Sequence, residues 1–108
     1  MKLNKRMIKK IKWAVPSITI EDEGDYYSIY VDNSCGEDFS FAINKGENEI
    51  EEIISYCEDF DAGEHFKSWY GVNRGEPSDP IELMDNCKEI ANNLETLRAW
   101  LQYDVLKA

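Results

Sequence analysis

One histidine, three cysteines, three prolines and no long apolar run are what this 108-residue chain has least of. Each shortage closes off a class of function. A lone imidazole, His65, cannot supply the several ligands that hydrolytic zinc sites use. Cys35, Cys57 and Cys87 are odd in number, far apart and without a CxxC pair, which argues against both a disulfide framework and a zinc centre. No stretch approaches the ~20 apolar residues that span a bilayer. The N-terminal MIKKIKWAV lacks the uninterrupted apolar core of a signal peptide. The expectation is a cytoplasmic protein with no membrane partner. Gly46, Gly71 and Gly75 stand alone, so no phosphate-cradling loop is present. The acidic turns around Asp22, Asp25, Asp32 and Asp38 lack an EF-hand pattern. Glu51 and Glu52 are adjacent and diverge on a helix, so they make no working carboxylate pair. The chain reads as neither an enzyme nor a cofactor carrier.

What is abundant is negative charge, unevenly placed. The formal net charge is −10, from 22 acids and 12 bases. Residues 1–13 carry six of the bases (Lys2, Lys5, Arg6, Lys9, Lys10, Lys12) and no acid. The remainder therefore carries a net of −16. Seven acids and no base lie between Glu21 and Asp38, and eight acids and no base between Glu47 and Glu64. Such a surface repels nucleic-acid phosphates and attracts basic partners, although solubility is the simpler account of it.

The length fits one domain, residues 1–108, and a hydrophobic fraction of 43% is enough for a real core. The patterning predicts an α+β fold: a basic helix within 1–15, a three-stranded antiparallel meander within 17–43, and helices over 47–106. In the first helix, placed at 3–14, Leu3, Met7, Ile8, Ile11 and Ala14 recur at helical spacing until Pro16 ends it. Ile18 and Ile20 begin the meander. EDEGD turns the chain at Gly24, and in YYSIYV Tyr27, Ile29 and Val31 make the apolar face. After the DNSCGED turn, Phe39, Phe41 and Ile43 alternate with Ser40 and Ala42.

NKGENEIEEIISYCEDF is the second helix, with Ile50, Ile53, Ile54 and Cys57 inward and Glu47, Glu49, Glu51, Glu52 and Glu58 outward. Asp61 and Glu64 make a capping-box-like start to a short third helix. Asp79, Pro80 and Glu82 cap a long last one. There Leu83, Cys87, Ile90, Leu94, Leu97 and Leu101 form a heptad seam, which serves either a core or a dimer. Cys57 and Cys87 read as small core residues.

Residues 57–84 gather the features that invite a catalytic reading. His65 lies near Asp59, Asp61 and Glu64. The simpler expectation is a partly exposed imidazole bonded to a neighbouring carboxylate. In RGEPSDP, the functional reading is an exposed Arg74 that anchors a partner or pairs with a helix-end carboxylate. The structural reading, a connector, is preferred because each residue type there has a turn or cap reason. The order helix–strand–strand–strand–helix matches double-stranded-RNA-binding domains. Those need basic residues where this chain reads GENEIEE, so RNA binding by that surface is rejected.

EDFSF (Glu37 to Phe41), the acidic helix, EDFD (Glu58 to Asp61), EH (Glu64, His65), Trp69, the loop residues Gly75, Pro77 and Ser78, and the spaced leucines from Leu83 to Leu101 form a further pattern. Over roughly residues 36–101 it resembles small proteins carried by phages and mobile elements of gut Firmicutes. The 70–78 loop is shortened by comparison and the basic N-terminal helix departs from the pattern. The resemblance transfers no catalytic residue. It implies an accessory protein of a mobile genome, acting inside the host bacterium, some of whose kind counter host defences.

Together with the charge, this gives the functional expectation. It is a non-catalytic inhibitor of a host defence nuclease, anti-CRISPR-like, whose acids mimic nucleic acid and fill a basic groove. Direct nucleic-acid contact is not expected. The partner-binding residues would be Glu21, Asp22, Glu23, Asp25, Glu47, Glu49, Glu51, Glu52, Glu58 and Asp59. The competing expectation is a self-assembling domain, a homodimer through residues 83–101. Contact of residues 1–13 with nucleic acid or an acidic membrane is a weaker alternative, since those bases are equally suited to pair with the protein's own acids.

Overall fold

The computed structural model describes residues 1–33, 39–70 and 79–107. Helix α1 (Lys5–Ala14) is followed by strands β1 (Ile18–Asp22), β2 (Tyr26–Val31) and β3 (Phe39–Asn44), then by α2 (Glu49–Asp59), α3 (Ala62–Trp69) and α4 (Pro80–Trp100). The end of α4 widens into a π-helical turn over Leu101–Val105. This is the expected α+β arrangement. Expectations placed on Cys35, Glu37, Arg74, Gly75, Pro77 and Ser78 lie outside the described residues.

The three strands form one antiparallel sheet in the order β1-β2-β3. Its register sets Ile20 against Ile29 and Ile29 against Phe41, so the apolar positions of all three strands share one face. Gly24 turns the β1–β2 hairpin at φ +99°, a backbone that favours glycine, and its N–H donates to Asp22 Oδ1 at 2.9 Å.

Helices α2 and α4 cover the apolar face. Ile50, Ile53, Ile54 and Cys57 of α2 are buried, as predicted. In α4 the whole heptad seam, Leu83, Cys87, Ile90, Leu94, Leu97 and Leu101, is at most 1% exposed. The seam therefore serves the interior, as the core reading of it expected. The caps at Asp61 and Asp79 are present, accepting from the Glu64 and Ile81 N–H groups at 3.0 and 2.9 Å.

Two expectations near the N-terminus need correction. The first helix starts at Lys5, because Asn4 is its N-cap and accepts from the Met7 N–H at 2.8 Å. Leu3 is buried, but it lies outside that helix. Residues 1–3 run beside the start of α2, where the Ile50 N–H donates to the Met1 carbonyl at 2.9 Å. The second correction concerns Glu49, expected on the acidic surface. It is 1% exposed. Its Oε1 accepts from the Leu3 N–H at 2.6 Å and its Oε2 from the Gly46 N–H at 3.0 Å. A buried carboxyl group is tolerated only where hydrogen bonds replace water, and here two backbone donors do so.

Removing that carboxylate strands both donors in the interior. Glu49→Ala is expected to lower the unfolding free energy by about 2–4 kcal/mol in urea titration, the cost of unsatisfied buried groups. Glu52→Ala, on the exposed face of the same helix, should stay within about 0.5 kcal/mol of wild type.

Candidate functional site

With Glu49 removed to the interior, the remaining nine predicted acids are all exposed. They form two groups. The first is at one end of the sheet. Glu21, Asp22, Glu23 and Asp25 surround the β1–β2 turn, and the Lys45 N–H donates to the Asp25 carbonyl at 3.4 Å. Lys45 Nζ pairs with Asp22 at 2.7 Å, and Glu47 follows two residues later. That lysine and the Gly24 N–H hold the Asp22 carboxyl below its ordinary range. Lys2 reaches Glu47 only at 4.0 Å.

The second group lies along α2. Glu51 is 2.6 Å from the Met1 amino group, which lowers its pKa. Glu52, Glu58 and Asp59 make no ion pair among the described residues, and neither do Glu21, Glu23 or Asp25. Exposed pairs contribute at most about 1 kcal/mol each to stability. The six carboxylates without a cation are therefore largely surplus to the fold.

A groove of about 210 Å³ runs between β3 and α2. Ala42, Ile43 and Asn44 line one side, and Glu52, Ser55, Tyr56 and Asp59 the other. The α2 residues follow an i, i+3, i+4, i+7 spacing and so share one helix face. Tyr56 stacks on Phe41 with ring centroids 4.7 Å apart. No cation is among these lining residues. The sequence reading singled out Glu52 and Asp59 but missed the groove. Its signals were the helical spacing of those four polar residues and the short side chain at Ala42.

Among the described residues His65 pairs with no carboxylate; Asp59, Asp61 and Glu64, its neighbours in sequence, do not reach it. Its ring lies among Phe39, Phe60 and Trp69, with centroid distances of 5.4, 5.3 and 5.9 Å. Its Nε2 is buried without a hydrogen-bond partner. The nearby acids are engaged elsewhere: Asp61 caps α3, and Glu64 lies 3.5 Å from Lys67. Burial lowers the imidazole pKa. Burial likewise pushes the Cys57 thiol up to about 12, the reverse of what an attacking thiolate needs. No group of three potential metal ligands occurs among the described residues.

No protein-family model, curated protein or solved structure matches the chain. What the surface can do follows from its own chemistry. No helix among the described residues is long and apolar enough to cross a membrane. On α1, Lys5, Arg6, Lys9 and Lys10 are exposed and form no ion pair among the described residues. Trp13 beside them is 85% exposed. Lys12 is used internally, donating to the Pro16 carbonyl at 2.7 Å and to Thr19 Oγ1 at 3.0 Å. The protein thus carries a basic helix on β1 and acids at the hairpin end and along α2.

The aromatic surroundings of His65 have a measurable consequence. Its native pKa lies below the ordinary 6.5. As pH falls, the unfolded chain binds this proton before the folded one, so stability drops as pH falls below about 6.5 and levels off once the native ring also protonates. His65→Phe removes that proton and the unpartnered nitrogen together. Its gain in stability over wild type should be larger at about pH 5 than at about pH 8, and chemical denaturation at the two pH values checks it.

Proposed function

We propose that this chain is a non-catalytic binding protein whose exposed carboxylates occupy a positively charged surface on another protein. One observation carries the reading: Glu21, Glu23, Asp25, Glu52, Glu58 and Asp59 are exposed and lack cationic partners among the described residues. A surface of that sign raises association rates with a basic partner and disfavours nucleic acid itself.

The finer form of the proposal is an accessory protein of a phage or mobile element, acting in the host bacterium's cytoplasm. There it inhibits a defence nuclease in the manner of an anti-CRISPR protein, by filling the nuclease's nucleic-acid groove. The resemblance of the EDFSF, EDFD and EH segments to small mobile-element proteins supports this. So does the complementarity between surplus carboxylates and a groove built for phosphates. Self-assembly through residues 83–101 is disfavoured because that seam is interior.

The test is capture of partners from a bacterial lysate on the tagged protein, with elution by rising salt and identification by mass spectrometry. A nucleic-acid-handling protein released by salt is the expected result. Reversing Glu21, Glu23, Asp25 and Glu47 to lysine, or Glu52, Glu58 and Asp59 to lysine, should weaken that capture by about 100-fold, mainly in association rate. Both variants should keep the wild-type melting temperature within a few degrees. Capture of nothing but the chain itself, or full capture by both variants, overturns the reading.

A further inference from the structure

Strand β3 is one edge of the sheet, and its free side can be worked out from a single hydrogen bond. The register pairs Tyr26 with Asn44, and the next pair outward is Asp25 with Lys45. The Lys45 N–H donates to the Asp25 carbonyl, which makes that pair a hydrogen-bonded one. Bonded and non-bonded pairs alternate in an antiparallel ladder. Ile43, Phe41 and Phe39 therefore exchange bonds with β2. Ser40, Ala42 and Asn44 turn their N–H and C=O groups outward.

These three residues are exposed, and no strand pairs with them among the described residues. The strand, FSFAIN, contains none of the proline or lysine residues that commonly protect an edge. Its outward positions carry short side chains at Ser40 and Ala42. Beside it stands the α2 face of Glu52, Ser55, Tyr56 and Asp59, with the groove between. The two carboxylates are separated by about 10 Å along the helix axis, from a rise of 1.5 Å per residue.

The geometry points to strand addition. The β3 edge takes an extended segment of a basic partner protein as a fourth strand, and lysine or arginine side chains of that segment reach Glu52 and Asp59. This rests on the binding-protein reading and deepens it by giving the partner's form: an exposed, extended, basic segment rather than only a folded basic surface. Main-chain bonds to Ser40, Ala42 and Asn44 supply affinity, and side chains on alternate positions supply selectivity. An added strand shows one face to α2 and the other to solvent, so its basic residues recur at every second position. Residues two and four apart on that face span about 7 and 13 Å, which brackets the carboxylate spacing. Tyr56, fixed by Phe41, offers an aromatic surface to a cation or its aliphatic stem. A second copy of this chain fits the edge poorly. Edge-to-edge pairing would bring the same acidic helix face in from both sides, on molecules of net charge −10.

The test uses two short peptides of identical composition, one alternating lysine and valine and one with the same residues in blocks. Binding is read by fluorescence anisotropy, and contact by amide hydrogen exchange. The alternating peptide is expected to bind more tightly and to slow exchange at the Ala42 and Asn44 amides. Ala42→Pro removes one outward donor while leaving the β2–β3 bonds in place. It should weaken the alternating peptide by about tenfold, in line with one lost hydrogen bond. Glu52→Lys with Asp59→Lys should switch preference to an alternating glutamate–valine peptide. Should Ala42→Pro fail to fold, the exchange pattern of the wild-type protein decides alone.

Equal binding of the two lysine peptides without protection at Ala42 and Asn44 overturns strand addition, while leaving the acidic-surface reading intact. Absence of peptide binding overturns it as well. A dimer in sedimentation that Ala42→Pro dissolves overturns it in favour of a second copy. Protected amides with no nuclease captured from lysate would uphold strand addition and overturn only the nuclease reading.

Discussion

The Glu49 carboxylate is the contact on which the rest of the arrangement depends. It binds the Leu3 N–H with one oxygen and the Gly46 N–H with the other. The residues before α1 are thereby tied to the turn after β3 and the first turn of α2, 46 positions further along the chain. The joint fixes where α2 begins relative to the end of β3. Ile50, Ile53 and Ile54 then lie under the sheet, and the opposite α2 face stands beside the β3 edge. Without that placement the groove between β3 and α2 would not exist. A carboxyl group in this position is costly to bury, and it is tolerated because bonds to backbone donors replace its water.

Once α2 is placed, charge and burial divide the molecule. The apolar faces of the sheet, α2 and α4 meet in the interior, and the acids are left at the hairpin end and along the outer side of α2. Internal cations reach few of them. Lys45 serves Asp22, and Lys2 approaches Glu47. Most of the basic helix α1 packs its lysines outward on the β1 side instead. The result is a molecule with a basic helix on β1 and an excess of acids at the hairpin end and along α2, a charge distribution suited to oriented encounters with a charged partner. Among the described residues, the buried His65 Nε2 and the Asn86 amide have no hydrogen-bond partner. The aromatic packing of Phe39, Phe60 and Trp69 accounts for the first, and nothing in the fold accounts for the second.

Much of this was legible in the chain. The alternation of Ile18 with Ile20, of Tyr27, Ile29 and Val31, and of Phe39, Phe41 and Ile43 specified three strands with one apolar face, because side chains alternate across a strand. The caps at Asp61 and Asp79 and the leucine seam of α4 were equally readable, since local hydrogen bonding and helical periodicity are properties of neighbouring residues. The candidate site was only half legible. Acid-rich segments could be counted, but Glu49 carries the same carboxylate as Glu52 and gave no local sign that it turns inward. His65 sits beside three acids in sequence and beside three aromatic rings in space. The meander order already made β3 an edge strand; what was hidden is that the acidic face of α2 stands beside it, because that depends on how the helix packs on the sheet.

By itself, then, the amino-acid order determined the elements, their apolar faces and the sign of the surface, all of which follow from short-range periodicity and composition. Tertiary structure alone decided which acid is structural, whether the seam of α4 is core or interface, which aromatics enclose His65, and that the outward backbone of Ser40, Ala42 and Asn44 faces an acidic helix. Each of these depends on contacts between residues far apart in the chain. No local pattern encodes such contacts, because they arise only when the hydrophobic faces close on one another and leave particular polar groups inside or out.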